Sequence, residues 1–171
     1  MIHLKIVPER SEFTIEGRST IHPLHAATRA LDGYVEAELL PGNRVDLTAP
    51  IKGHLEIQVE SLKTGNELYD LETRRRIDIR RYPKITADIV KVQELEPLKR
   101  YRVLGDLTFY GKTLRVEGDI VITRMDNHSV EATGEYAFDI RDFGLPMPQI
   151  FMLKVYPKFR SKLKVFAELA A

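Results

Sequence analysis

Apolar and polar side chains alternate along most of this chain, and a period of two marks a strand with one dry and one wet face. Phe13, Ile15 and Gly17 oppose Glu12, Thr14 and Glu16; Gly33, Val35, Ala37 and Leu39 oppose Tyr34, Glu36 and Glu38; Leu55, Ile57 and Val59 oppose Glu56, Gln58 and Glu60. From Ile21 to Ala30 the alternation is lost. It breaks again at Ile89-Val90, which predicts a bulge in a strand near Ile85 to Val92. Three long stripes follow, Tyr101 to Phe109, Leu114 to Ile122 and Val130 to Ile140, separated by the polar turns Tyr110-Gly111-Lys112 and Met125 to His128. Phe159, Leu163, Val165 and Ala167 make a closing strand. Long strands joined by tight turns predict an antiparallel meander, and about eight of them suffice to close a barrel.

A helix is predicted only after Ser61. Thr64 and Glu67 stand in capping-box spacing, with Asn66 competing as the cap, and carboxylates early and arginines late suit the helix dipole. Asp70/Arg74 and Glu72/Arg76 fall four apart, and Leu68 and Leu71 offer one narrow apolar edge, so the helix reads as a cover over one barrel end. The expected fold is therefore all-β with one short helix: an extended antiparallel β-barrel forming one domain over residues 1–171.

The side chains expected to face inward are Phe13, Ile15, Val35, Leu55, Ile57, Val103, Leu107, Phe109, Val116, Ile120, Tyr136 and Phe138. In a barrel of this size they either fill the lumen as a core or leave room for one small guest. Gly17, Gly33, Gly105, Gly118 and Gly134 lie in register with those apolar faces, where a missing side chain allows sharp coiling or leaves space. The stretch from Phe143 to Leu153 is apolar, proline-punctuated and methionine-bearing, and with Leu68 and Leu71 its Met147, Phe151 and Met152 are candidates for a lid or portal. Packing over one barrel end is the first reading of this stretch, ahead of lining a portal or meeting another subunit.

Composition narrows the chemistry. The 171 residues are 43% hydrophobic and 30% charged, yet the net charge is only +1, so no global footprint for nucleic acid or an anionic surface is present. With no cysteine, disulfides, iron–sulfur clusters and a thiol nucleophile are excluded. No window approaches the roughly 18 consecutive apolar residues of a membrane-spanning helix, and the N-terminus lacks the pattern of a secretory signal, so a cytoplasmic protein is expected. Nucleophile-elbow, Walker and dinucleotide motifs are missing, and most carboxylates fall on the wet strand faces. No catalytic residue, cofactor or metal ligand is assigned. His22 and His25 sit three apart without a third convergent ligand, which leaves acid–base or metal chemistry at the barrel mouth as the last-ranked reading. Arg74, Arg75, Arg76, Arg80 and Arg81 form the densest basic cluster; carboxylate neighbours account for the first three, and nothing local accounts for Arg80 and Arg81.

Four segments in order, Ser61-Leu-Lys-Thr-Gly-Asn66, the arginine-rich helix running to Arg81-Tyr82-Pro83-Lys-Ile85, Gly105-Asp-Leu-Thr-Phe-Tyr-Gly-Lys112 and Phe138-Asp-Ile-Arg-Asp-Phe-Gly144, give the chain a resemblance to the YceI-like family over nearly its whole length. The resemblance implies a lipocalin-like barrel whose apolar lumen holds a polyisoprenoid chain such as a quinone tail, often in a homodimer, with binding or carriage as the role and no established chemistry. It implies turn-shaping roles for Gly65 and Asn66 and structural ones for Pro83 and Gly144. The alternative is a stress-related interaction module, a homodimer with a filled barrel and no ligand.

Overall fold

The computed structural model describes residues 1–146, 149–150 and 153–170, with backbone alone at 149, 150 and 153. The strands are β1 Ile2–Ile6, β2 Glu12–Arg18, β3 Pro23–Thr28, β4 Leu31–Ala37, β5 Leu39–Leu40, β6 Arg44–Val45 and β7 Lys52–Gln58, followed by helix α1 Glu67–Ile77. After it come β8 Lys84–Glu96, β9 Arg100–Phe109, β10 Lys112–Met125, β11 Ser129–Asp139, β12 Gln149–Ile150, β13 Leu153–Lys154 and β14 Lys158–Leu169. The main sheet runs β1-β4-β7-β8-β9-β10-β11-β14, and β14 pairs back to β1, so an antiparallel barrel closes.

Two of its eight staves are broken. β14 pairs with β1 at Ala167 to Leu169 and with β2 at Arg160 to Lys164, so β1 and β2 are successive halves of one stave interrupted by the 3-10 turn Pro8–Arg10. Ser11 repairs the ladder at the break: its hydroxyl accepts from the Phe166 amide at 3.0 Å and donates to the Val7 carbonyl at 2.8 Å. β3 and β4 share the next stave in the same way, β3 against β2 and β4 against β1. The sequence pattern misses β3, because its inward positions Leu24, Ala26 and Thr28 are mostly small and the alternation carries little hydrophobic contrast.

The bulge expected at Ile89-Val90 is present: pairing of β8 with β9 shifts between Ile89 and Lys91. It leaves Val90 exposed and returns Val92 to the face of Val103, so one extra residue keeps the following side chains inward.

Helix α1 is capped by Asn66, whose side-chain oxygen accepts from the amides of Leu68 at 3.1 Å and Tyr69 at 3.2 Å. Thr64 takes a different role from the expected cap, since its hydroxyl and amide both donate to the buried Asp70 carboxylate, at 2.7 and 3.0 Å. That capture replaces the expected Asp70–Arg74 pair, whereas Glu72 does bind Arg76, and Arg75 with it. The helix ends at Asp78 in the left-handed conformation.

Candidate functional site

Residues opposite one another on neighbouring strands share a face of the sheet, so the register traces one inner wall around the barrel. Val35 faces Gly53, Leu55 faces Ala87, Leu107 faces Leu114, Val103 faces Gly118, Ile120 faces Gly134, and Leu163 faces Phe13. The residues that the sequence pattern selects all lie on this wall, together with Leu114, Val92, Leu163 and Val165, which that selection leaves out. Val92 is hidden from periodicity by the bulge.

Burial is uneven along the wall. Toward α1, a packed core joins Ile6, Phe13, Leu31, Ile57, Val59, Ile85, Phe109 and Phe143, each nearly inaccessible. Phe143 is the plug. Asp139 caps the 3-10 turn Ile140–Phe143 by accepting from the Arg141 amide at 2.9 Å, and the turn delivers Phe143 edge-on to Phe109 and Phe138, with ring centroids 5.9 and 6.2 Å away. Phe138 stacks on Phe159 and Tyr136.

Along the rest of the wall Val35, Val103, Val116, Ile120 and Tyr136 face inward but are only half-buried, and Ile15, Leu55, Leu107 and Phe138, half-buried as well, pack against the core. Side chains on the inner wall of a filled barrel would be fully buried. The glycines on this wall divide: a side chain at Gly17 would strike the Phe159 ring, one at Gly33 the His54 carbonyl, and a Cβ at Gly105 would press on the Asp88 carbonyl oxygen at 3.0 Å, whereas a Cβ at Gly118 would meet only the Glu135 carbonyl oxygen, in ordinary contact at 3.8 Å.

At the end away from α1 the Tyr101 ring is buried. Its hydroxyl has no well-aligned hydrogen-bond partner among the described residues, and burial raises its pKa above the ordinary tyrosine value. The Arg44–Glu94 ion pair, 3.1 Å, stands beside it and ties the β5–β6 hairpin to β8.

Leu68 and Leu71 lie on α1 but are 61% and 62% exposed, so the helix's apolar edge faces away from the barrel and Asp70 takes the buried side. Met147, Phe151 and Met152 lie outside the described residues. His22 and His25 do not converge: the His22 ring stacks over Tyr69 and His25 lies across from Glu16 on the wet face. His54 is on the outside, between Asp88 at 2.6 Å and Glu56 at 3.1 Å, and the Asp88 hydrogen bond, with that of Glu56, raises its pKa. An open groove of about 590 Å³ also runs along the outer wall; Glu12, Asp119, Glu135, Lys162 and Lys164 line it with mixed charge beside Val121, and it stands open to solvent. The inner wall is the stronger candidate.

Solved structures share the fold. BcnA from Burkholderia cenocepacia superposes with a TM-score of 0.78 at 15% identity, covering 94% of this chain and 98% of that one. A polyisoprenoid-binding domain from Saccharophagus degradans gives 0.79 at 11% identity, over 99% of this chain and 100% of the other. A YceI protein of Campylobacter jejuni gives 0.62 at 16% identity, over 82% of each. No curated protein matches the sequence. The family model for the YceI-like domain matches residues 4–168, and with that span of the sequence accounted for, the chain belongs to the YceI-like family.

Proposed function

We infer that the lumen binds one long apolar lipid, a polyisoprenoid or the tail of an isoprenoid quinone, and that the protein carries or sequesters it without converting it. The observation that supports this most directly is the half-buried state of the inward apolar wall from Val35 and Val103 to Ile120 and Tyr136. Family membership and the likeness to a polyisoprenoid-binding domain support the same reading.

The energetics favour such a guest. Each methylene moved from water into an apolar site contributes about 0.8 kcal/mol, so a chain of several isoprene units needs few polar contacts to be held. Selection then follows length and girth more than functional groups. Organic extraction of freshly purified protein, followed by mass spectrometry, tests the reading. A stoichiometric isoprenoid or quinone is expected; an extract no richer than that of an unrelated protein, even after incubation with quinones, would overturn it.

A further inference from the structure

At the α1 end the surface combines two properties that the barrel interior does not require. Ile21 is 76% exposed, and Leu68 and Leu71 are nearly as open. The His22–Tyr69 stack, 6.1 Å between centroids, brings the Ile21 turn alongside the helix that carries the two leucines. Large apolar side chains exposed in one region are costly in water unless something covers them.

Cations border this region. Between residues 74 and 84 stand five arginines and Lys84 against the single carboxylate of Asp78, in a chain whose net charge is only +1. Glu72 holds Arg75 and Arg76, and Glu56 holds Lys84. Arg80 and Arg81 are exposed and have no ion pair among the described residues. Along α1, Leu68, Leu71 and Arg75 repeat at i, i+3 and i+7 and share the outer stripe, and exposed Glu67 stands one turn before Leu71 on the same side. The opposite end also exposes Met1, Leu39, Leu40 and Leu98, but Glu38, Asp46, Glu94, Glu96 and Asp126 are interspersed there and no one sign prevails.

We propose that the α1 end docks on a bilayer bearing anionic phospholipid, with Ile21, Leu68 and Leu71 entering the boundary between headgroups and acyl chains while Arg80 and Arg81 pair with lipid phosphates. Apolar insertion beside a basic rim is the chemistry of interfacial binding, and charge complementarity selects the anionic surface over a neutral one. The proposal rests on the lumen reading for its purpose, because an isoprenoid lipid resides in a bilayer and has to be collected from one.

The test is sedimentation of the full chain with vesicles, either of phosphatidylcholine alone or of phosphatidylcholine mixed with phosphatidylglycerol. Binding is expected to the mixed vesicles, weakly or not at all to the neutral ones, and to fall as salt rises. Arg80→Gln with Arg81→Gln should weaken it roughly twenty-five-fold, since each cation at an anionic surface contributes about one factor of five. Leu68→Ser with Leu71→Ser should abolish it with an unchanged circular dichroism spectrum, whereas Leu39→Ser with Leu40→Ser, at the far end, should leave it intact. Equal partition onto both vesicle types, no partition onto either, or full binding by the Leu68/Leu71 variant would overturn the proposal. So would retention on RNA without retention on vesicles, which would make the arginines a polynucleotide site. Extracts of the same preparations are read separately: vesicle binding with an empty extract supports docking and sinks the lumen reading, and a lipid-bearing extract without vesicle binding does the reverse.

Discussion

Asp139 links one charge to the plug at the α1 end. Two oxygens of its carboxylate take hydrogen bonds from the Arg141 guanidinium, as close as 2.6 Å, and one of them also accepts from the Arg141 amide. The guanidinium, with that amide, lowers the Asp139 pKa from the ordinary 3.8 to about 2. A carboxylate with a depressed folded pKa stabilises the folded state fully above its unfolded pKa, and the contribution is lost as pH falls through the folded value. The turn carrying Phe143 is therefore expected to hold down to pH near 2 as far as this group is concerned. Carboxyl carbon shifts followed by NMR against pH should show a midpoint of about 2, and in Arg141→Gln the midpoint should climb back toward 3.8. A midpoint near 3.8 in the unsubstituted protein would mean that the pair does not persist in solution.

Among the elements, α1 shows how a local sequence is legible in part. Its position and its acidic-to-basic order follow from elementary rules, and so does the choice of Asn66 or Thr64 as cap. Which of the two wins is tertiary: Thr64 is taken by Asp70, and Asp70 is buried because Leu68 and Leu71 are turned away from the barrel. Amphipathic logic puts the leucines inside, and surrounding contacts overrule it. β3 is illegible for a different reason, since a strand that needs only small side chains against a neighbouring half-stave leaves no periodic trace. The barrel stripes, by contrast, were readable almost residue by residue, because alternation and closure impose the same constraint. Asn66→Ala removes an acceptor shared by two amides, a loss worth about 1 kcal/mol to the helix end. Hydrogen exchange at Leu68 and Tyr69 should quicken about fivefold while β9 and β10 amides are unaffected; uniform acceleration would show that α1 and the barrel unfold as one unit.

For the whole molecule the quantity that governs function is a volume, and one substitution separates a hollow lumen from a packed one. Gly118 lies mid-strand in β10, opposite Val103, and a Cβ there would make only an ordinary contact at 3.8 Å. In Gly118→Leu the new side chain projects into the lumen. If the lumen is hollow, the variant gains a better strand former at a site where glycine costs about 0.5–1 kcal/mol relative to alanine, so the thermal midpoint holds or rises while isoprenoid recovered by extraction falls. If the barrel is packed solid, the same leucine overfills it, and overpacking costs about 1–3 kcal/mol, read as a lower midpoint. Gly33→Leu is the control for a true clash, because the His54 carbonyl oxygen already occupies the position of its Cβ. A Gly118→Leu protein as unstable as Gly33→Leu would show that the half-buried wall is a core, and a stable one with its lipid displaced would show that the wall is a site.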